Sequence, residues 1–315
     1  MQFLRGSRHG YRALVLMAVA IAALGAPAAR ADEPRRGGLA LRDGDRVAFI
    51  GNTLLERDRH YGHFETMLRS RFPGAAFSVR NMAWPGDTLD VQLRPLNFGN
   101  ALEHLRRYKP TVIVVSFGMN EAFEGDAGLT GYQRSYERLL EQLAEFDAKI
   151  VILSPIRHED MGPPLPNPAE HNAALEAYVK ATAEAARRHG AAFVDLFHSL
   201  SPSTSQGGAR LTDNGIHLSE RGYAQAAEQI AEQLGLGPSK LDERRREIVR
   251  DAVQHKEMLF FHRWRAHNSE YIYGRRSVGK GGNSGNPTFP AEFAEFDRLI
   301  EQADQQIAKL SDAGR

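Results

Sequence analysis

Three features of the sequence predict an α/β protein, a three-layer α/β/α sandwich around a five-stranded parallel sheet. Short apolar runs rich in Val, Ile and Phe recur five times, each the length of a buried strand. Amphipathic stretches of helical period separate them, the alternation that builds a parallel sheet with both faces covered. The runs end in turn-forming Gly, Asn, Asp or Pro, which is where open α/β sheets expose polar groups.

The first strand is read at 46–51 (RVAFIG), where four apolar residues stop at Gly51-Asn52. A stretch of helical spacing follows from Leu54 to Phe72. The next strands are read at Ala76–Met82, Thr111–Gly118, Lys149–Pro155 and Ala191–Leu196. Helices are expected near 61–72, 98–107, 130–147 and 169–189, and from Ser219 to Leu234. Right-handed crossovers between the strands give the sandwich. From about Gly235 the alternation stops, and no internal repeat is found. Residues 240–262 read as a charged helix, 272–290 are rich in Gly, Asn and Pro, and 291–310 read as a terminal amphipathic helix. This extension is too short to own a core, so it is expected to pack on the main domain.

At the amino terminus, Arg5, Arg8 and Arg12 precede the apolar run Ala13–Ala26, and Ala29-Arg30-Ala31 matches a small-residue cleavage site. Residues 1–31 are therefore expected to be a signal peptide, with an uncleaved anchor as the alternative. The run is short for a membrane span, so no stable membrane association is expected after cleavage. Residues 32–45 read as a linker, 46–236 as the main domain and 237–315 as the extension. The 315 residues include no Cys, which excludes disulfides and thiolate metal sites. The formal charge is +1, and becomes −3 without the four Arg of residues 1–31, so the balance makes no case for nucleic acid.

Polar residues cluster after four of the strands. They are Gly51-Asn52-Thr53, then Asn81 to Thr88 (NMAWPGDT), then Gly118-Met119-Asn120-Glu121, and finally Leu211 to Ser219 (LTDNGIHLS). These four blocks resemble, across roughly residues 45–235, those of the SGNH (GDSL-type) hydrolase superfamily, as a divergent exported branch. The resemblance implies the flavodoxin-like fold of that superfamily and ester hydrolysis, with a small-molecule or carbohydrate ester as substrate and no cofactor. Matched motif by motif, it puts the nucleophile on Thr53 and the base on His217. The oxyanion donors become the Thr53 N–H, Gly86 and Asn120.

Two positions depart from the family pattern. GNT stands in place of GDS, so the hydroxyl belongs to Thr53, whose extra methyl group stiffens χ1. NxxH stands in place of DxxH: Asn214 occupies the acid position and Asp213 lies one residue before it. An amide oxygen can hold the useful tautomer of His217 but cannot offset the charge on the ring. In the serine proteases an Asp-to-Asn change costs about 10⁴ in turnover. Asn214 and Asp213 both stand as candidates to orient His217.

Each residue also has a plainer reading. Thr53 could cap a helix, Gly51 and Gly86 could be turn glycines, Asn120 could satisfy strand-end backbone, and His217 could be a surface histidine. Further candidate substrate contacts are Asn52, Trp84 and Glu121, with Arg157, His158 and Glu159 on the loop after the fourth strand. No zinc or calcium ligand spacing accompanies them. In the extension, residues 260–268 (FFHRWRAHN) with Tyr271 and Tyr273 read as a docking surface, or else as a wall that reads a sugar ring or an acidic group. The departures also motivate a different class of function, a carbohydrate-binding or scaffold protein without turnover. Dinucleotide binding is disfavoured because no G-x-G-x-x-G follows the first strand.

Overall fold

Five parallel strands lie in the order β2-β1-β3-β4-β5. The computed structural model describes residues 39–200, 210–265 and 288–312. The expected signal segment, residues 201–209 and residues 266–287 with Tyr271 and Tyr273 lie outside the described residues.

The strands are β1 (Arg46–Gly51), β2 (Ser78–Asn81), β3 (Val112–Ser116), β4 (Lys149–Leu153) and β5 (Ala192–Val194). Between β1 and β2 run α1 (Thr53–Asp58) and α2 (His63–Arg71), and α3 (Ala101–Tyr108) precedes β3. A 3-10 turn, Glu121–Glu124, leads into α4 (Gly125–Leu143), and α5 (Ala169–Arg188) joins β4 to β5. After β5 come α6 (Leu196–Ser199), α7 (Glu220–Gln233), α8 (Glu243–Trp264) and α9 (Thr288–Ser311). Each expected strand and helix is present, with strands shorter by a few residues where the runs extend into turns.

The two faces of the sheet follow from the two-residue period of a strand. Val47 and Phe49 of β1, with Val112 and Val114 of β3, pack on Phe64, Leu68, Tyr223 and Ile230 from α2 and α7. Their neighbours Ala48, Ile50, Ile113 and Val115 point the other way, onto Leu105, Tyr136, Leu140 and Leu175 from α3, α4 and α5. Both faces are therefore dry, which explains why the strands read as unbroken apolar runs.

Two local expectations are corrected. The helical stretch from Leu54 to Phe72 is two helices, because Gly62 adopts φ +69° and Asp58 Oδ1 and Oδ2 accept the N–H groups that open α2. The stretch read as a linker is packed in its second half. Leu39 and Leu41 are buried in the first core, and Asp43 accepts the Ala76 N–H at 2.8 Å.

The extension lies on the main domain. Val249 and Val253 of α8 meet Ile307 of α9 in an apolar seam, while Phe260 and Ile300 join the second sheet face. Between α8 and the sheet, Lys256 is fully buried. Its Nζ reaches Glu65 and Glu257 at 2.5 Å each and the Val79 carbonyl at 3.1 Å. Among the described residues no helix is long and apolar enough to cross a membrane.

Candidate active site

The chain leaves β1 to build β2 on one side and β3 on the other. The carboxyl ends of β1 and β3 therefore flank the crevice where such sheets bind ligands. Here β1 and β3 approach so closely that a Cβ on Gly51 would stand 2.1 Å from the Ser116 carbonyl oxygen, so only glycine fits. Asn52 then caps α1: its Oδ1 accepts the Leu54 N–H at 3.2 Å. Thr53 is thus the first residue of the helix rather than its cap, which leaves its hydroxyl uncommitted to capping.

Thr53 and His217 line one cleft with about 280 Å³ of open space, walled by Met119, Ile156 and Ile216. Gly86, held at φ +78° in the turn after β2, directs its N–H at Thr53 Oγ1 over 3.3 Å. Asn120 Nδ2 donates to the Asp87 carbonyl at 3.0 Å, which joins the two expected oxyanion donors into one unit. The structure thus brings Thr53, Gly86, Asn120 and His217 to one edge.

The loop that carries His217 is fixed from three sides. Ser219 caps α7 through the Gly222 N–H, Tyr223 Oη donates to the Leu54 carbonyl at 2.8 Å, and Arg57 pairs with Asp213 at 2.9 Å. Asp213 therefore ties the loop to α1 and does not bond the His217 ring. Asn214 is the ring's partner, with Nδ2 3.0 Å from His217 Nδ1. Its Oδ1 accepts the N–H groups of Ile216 and His217 at 3.3 and 3.0 Å. The amide orientation is set by those two donors, so its nitrogen donates to Nδ1 and the ring proton sits on Nε2. Burial and the Arg57 guanidinium hold the imidazole below its ordinary pKa, with Asp213 opposing them, so the ring is neutral at pH 7.

Several expected substrate contacts are engaged within the protein. Asn52 is 1% exposed and its Nδ2 has no protein acceptor. Glu121 is buried and accepts the N–H groups of Gly118 and Leu89 at 2.9 and 3.0 Å. Glu159, also buried, accepts the N–H groups of Leu211 and Thr212 at 3.0 and 2.8 Å together with the Thr212 hydroxyl, bracing the His217 loop. Arg157 covers the Phe197 ring at 4.6 Å. His158 is buried, and burial with the charges of His171 and His217 drops its pKa to about 4.

Trp84 begins the turn that bears Gly86, and two guanidinium groups lie against its ring, Arg94 at 4.4 Å and Arg265 at 4.2 Å. Arg94 also forks onto Asp87 with bonds of 2.8 and 2.5 Å, and Arg265 pairs with Glu56 at 3.0 Å. The chain at the end of α8 thus docks beside the turn that bears Gly86. Sequence reasoning missed Arg57, Arg94 and Tyr223 here, because each acts through a partner far along the chain or through a ring face. Among the described residues no group of three or more His, Asp or Glu converges as a metal site.

A parallel flavodoxin-like sheet with a hydroxyl, an imidazole and two N–H donors at its β1/β3 edge defines the SGNH class of hydrolase folds. The family model described as GDSL-like lipase/acylhydrolase matches residues 44–225, more than half of the chain, and the chain belongs to that family. Among solved structures, a gut microbial diltiazem-metabolizing enzyme is similar over 87% of this chain and 96% of its own, with TM-score 0.65 and 11% identity. An α/β hydrolase enzyme from the metagenome of Lake Arreo, Spain, is similar over 63% of this chain and 99% of its own (TM-score 0.51, 17% identity). A GDSL-like protein from Parabacteroides merdae is similar over 64% and 100% respectively (TM-score 0.51, 15% identity). A comparison with curated proteins finds no match.

Proposed function

We propose that the chain is an exported ester hydrolase working by two-step acyl transfer. In the first step His217, once its ring proton has moved from Nε2 to Nδ1 and Asn214 has released that nitrogen, takes the proton of Thr53 on Nε2 as the Thr53 oxygen attacks the ester carbonyl carbon. The tetrahedral oxyanion is held by the N–H groups of Gly86 and Thr53 and by Asn120 Nδ2. The bond to the alcohol breaks, and the alcohol leaves with the proton from His217. Water, deprotonated by His217, then attacks the acyl-Thr53 ester, and the acid departs as Thr53 regains its proton.

The observation that carries this reading is the cleft shared by Thr53 and His217, with the Gly86 N–H already aimed at the hydroxyl. Its small apolar walls suit a short acyl group such as acetyl. A carbohydrate as the alcohol partner, and export with no stable membrane association, rest on the family resemblance and on the charged and apolar pattern of residues 1–31.

Hydrolysis of p-nitrophenyl acetate by the mature protein tests the proposal. Thr53→Ala and His217→Ala should each reduce turnover by at least about 10³-fold. Activity that survives both substitutions removes the site. The Asn214 amide favours a second reading, a protein that keeps the fold, binds a carbohydrate or serves as a scaffold, and turns over little. No activity on a broad ester panel, together with retained glycan binding, would select that reading.

A further inference from the structure

Five of the seven exposed large apolar side chains among the described residues stand on the segments that follow the strands at the carboxyl edge of the sheet. They are Val91, Leu93, Leu96, Phe123 and Leu165. Phe123 is the aromatic one, 66% exposed, three residues beyond Asn120. One face of its ring is covered by His171, with centroids 4.3 Å apart and planes at 23°. His171 in turn stacks on His158 at 4.5 Å and 29°.

The three rings form a triangle, since Phe123 also lies 6.0 Å from His158 with planes at 45°, and the His158 corner is fixed on both sides. The His158 N–H donates to Asn172 Oδ1 and Asn172 Nδ2 donates to the His158 carbonyl, both at 2.9 Å. The next residue, Glu159, takes hydrogen bonds from the His217 loop, and its own N–H donates to the Gly215 carbonyl at 2.8 Å. The ring cluster is therefore anchored to the same loop that carries His217. Desolvation lowers the pKa of both histidines, to about 4 for the buried His158, which disfavours charge beneath Phe123. An exposed ring so placed costs solvation without contributing to the core, while His171 and His158 support it from below.

We propose that Phe123, supported by His171 and His158, is a stacking platform for a ring in the alcohol half of the substrate, beside the cleft that takes the acyl half. The inference rests on the ester-hydrolase reading for the identity of the substrate. Either the C–H face of a sugar or an aromatic ring meets the chemistry of the platform, whose exposed face offers π density and no hydrogen bond.

The test uses three esters of one acyl group: benzyl acetate, an O-acetylated methyl xyloside, and ethyl acetate, which has no ring. Phe123→Ala should lower the ratio of kcat/KM for the favoured ring ester over ethyl acetate by about five- to tenfold, mainly through KM, and Phe123→Trp should restore it. Which ring ester loses more identifies the ring. An unchanged ratio for both overturns the platform, as does a change in oligomeric state on Phe123→Ala with the ratio unaltered.

A binding readout separates the platform from the chemistry. In a Thr53→Ala background, the fluorescence of the Phe123→Trp variant should change saturably with a ring ester and not with ethyl acetate. If no ester is hydrolysed but this response appears, the platform stands and the hydrolase reading falls. Hydrolysis without any ring-dependent response overturns the platform alone.

Discussion

Asn214 decides how well the residues at the β1/β3 edge can react. Its Oδ1 is committed to two backbone N–H groups, so it offers His217 Nδ1 a donor where a general base needs an acceptor. The ring then carries its proton on Nε2, the nitrogen left to meet Thr53. A carboxylate at 214 could accept both the backbone donors and Nδ1–H, reversing the tautomer and stabilising the imidazolium. Asn214→Asp should therefore raise kcat on p-nitrophenyl acetate by about 10²–10⁴ with KM little changed. An unaltered kcat would mean that the ring tautomer does not limit the reaction. That Thr53, Gly86, Asn120 and His217 would share one edge was legible from the four strand-end blocks. The choice between Asn214 and Asp213 was not legible, because Arg57, more than a hundred residues earlier, draws Asp213 away.

At the scale of elements, the break between α1 and α2 carries a pH dependence. Asp58 closes α1, is 3% exposed, and caps α2 through the N–H groups of His63 and Phe64. Burial, together with the nearby Glu257 and Glu65, raises its pKa to about 8 despite those two donors. In the unfolded chain the same group ionises near its ordinary value of 3.8. Folding therefore holds a proton on Asp58, and its contribution is fully present below 3.8 and lost as pH rises through about 8. Melting temperature should fall over that window. Asp58→Asn, which keeps a capping oxygen without the charge, should flatten the Asp58 part of the slope while leaving the melting temperature below pH 3.8 nearly unchanged. An identical slope in the variant would contradict the assignment. The helical period of residues 54–72 hid this break, because Gly62 is tolerated within an amphipathic pattern and Asp58 bonds forward along the chain.

For the whole molecule, the α8–α9 pair is part of the main domain's core. Lys256 sits between Glu65 of α2 and its own neighbour Glu257 with no exposure. Burial pushes the Glu65 carboxyl up, but Lys256 and Arg69 together pull it below its ordinary range, so it is ionised and depends on them. Lys256→Met leaves that charge facing an apolar gap and should cost about 3–5 kcal/mol, read as a lower urea midpoint with an unchanged slope. A loss below about 1 kcal/mol would show that Arg69 alone satisfies Glu65. The sequence announced a charged helix over 240–262 but not which face it buries, because charge within a helix marks solvent by default and the buried partners come from α2 and β2. The same packing carries Arg265 to Trp84, so the extension reaches the turn that supplies Gly86. Thr53 and His217, drawn from opposite ends of the domain, come to one cleft only through the order of the whole sheet. Reaction with a fluorophosphonate followed by peptide mass mapping tests that meeting most directly. The account predicts a single adduct on Thr53 that disappears in His217→Ala; an adduct on another residue, or equal labelling of Thr53 without His217, would contradict it.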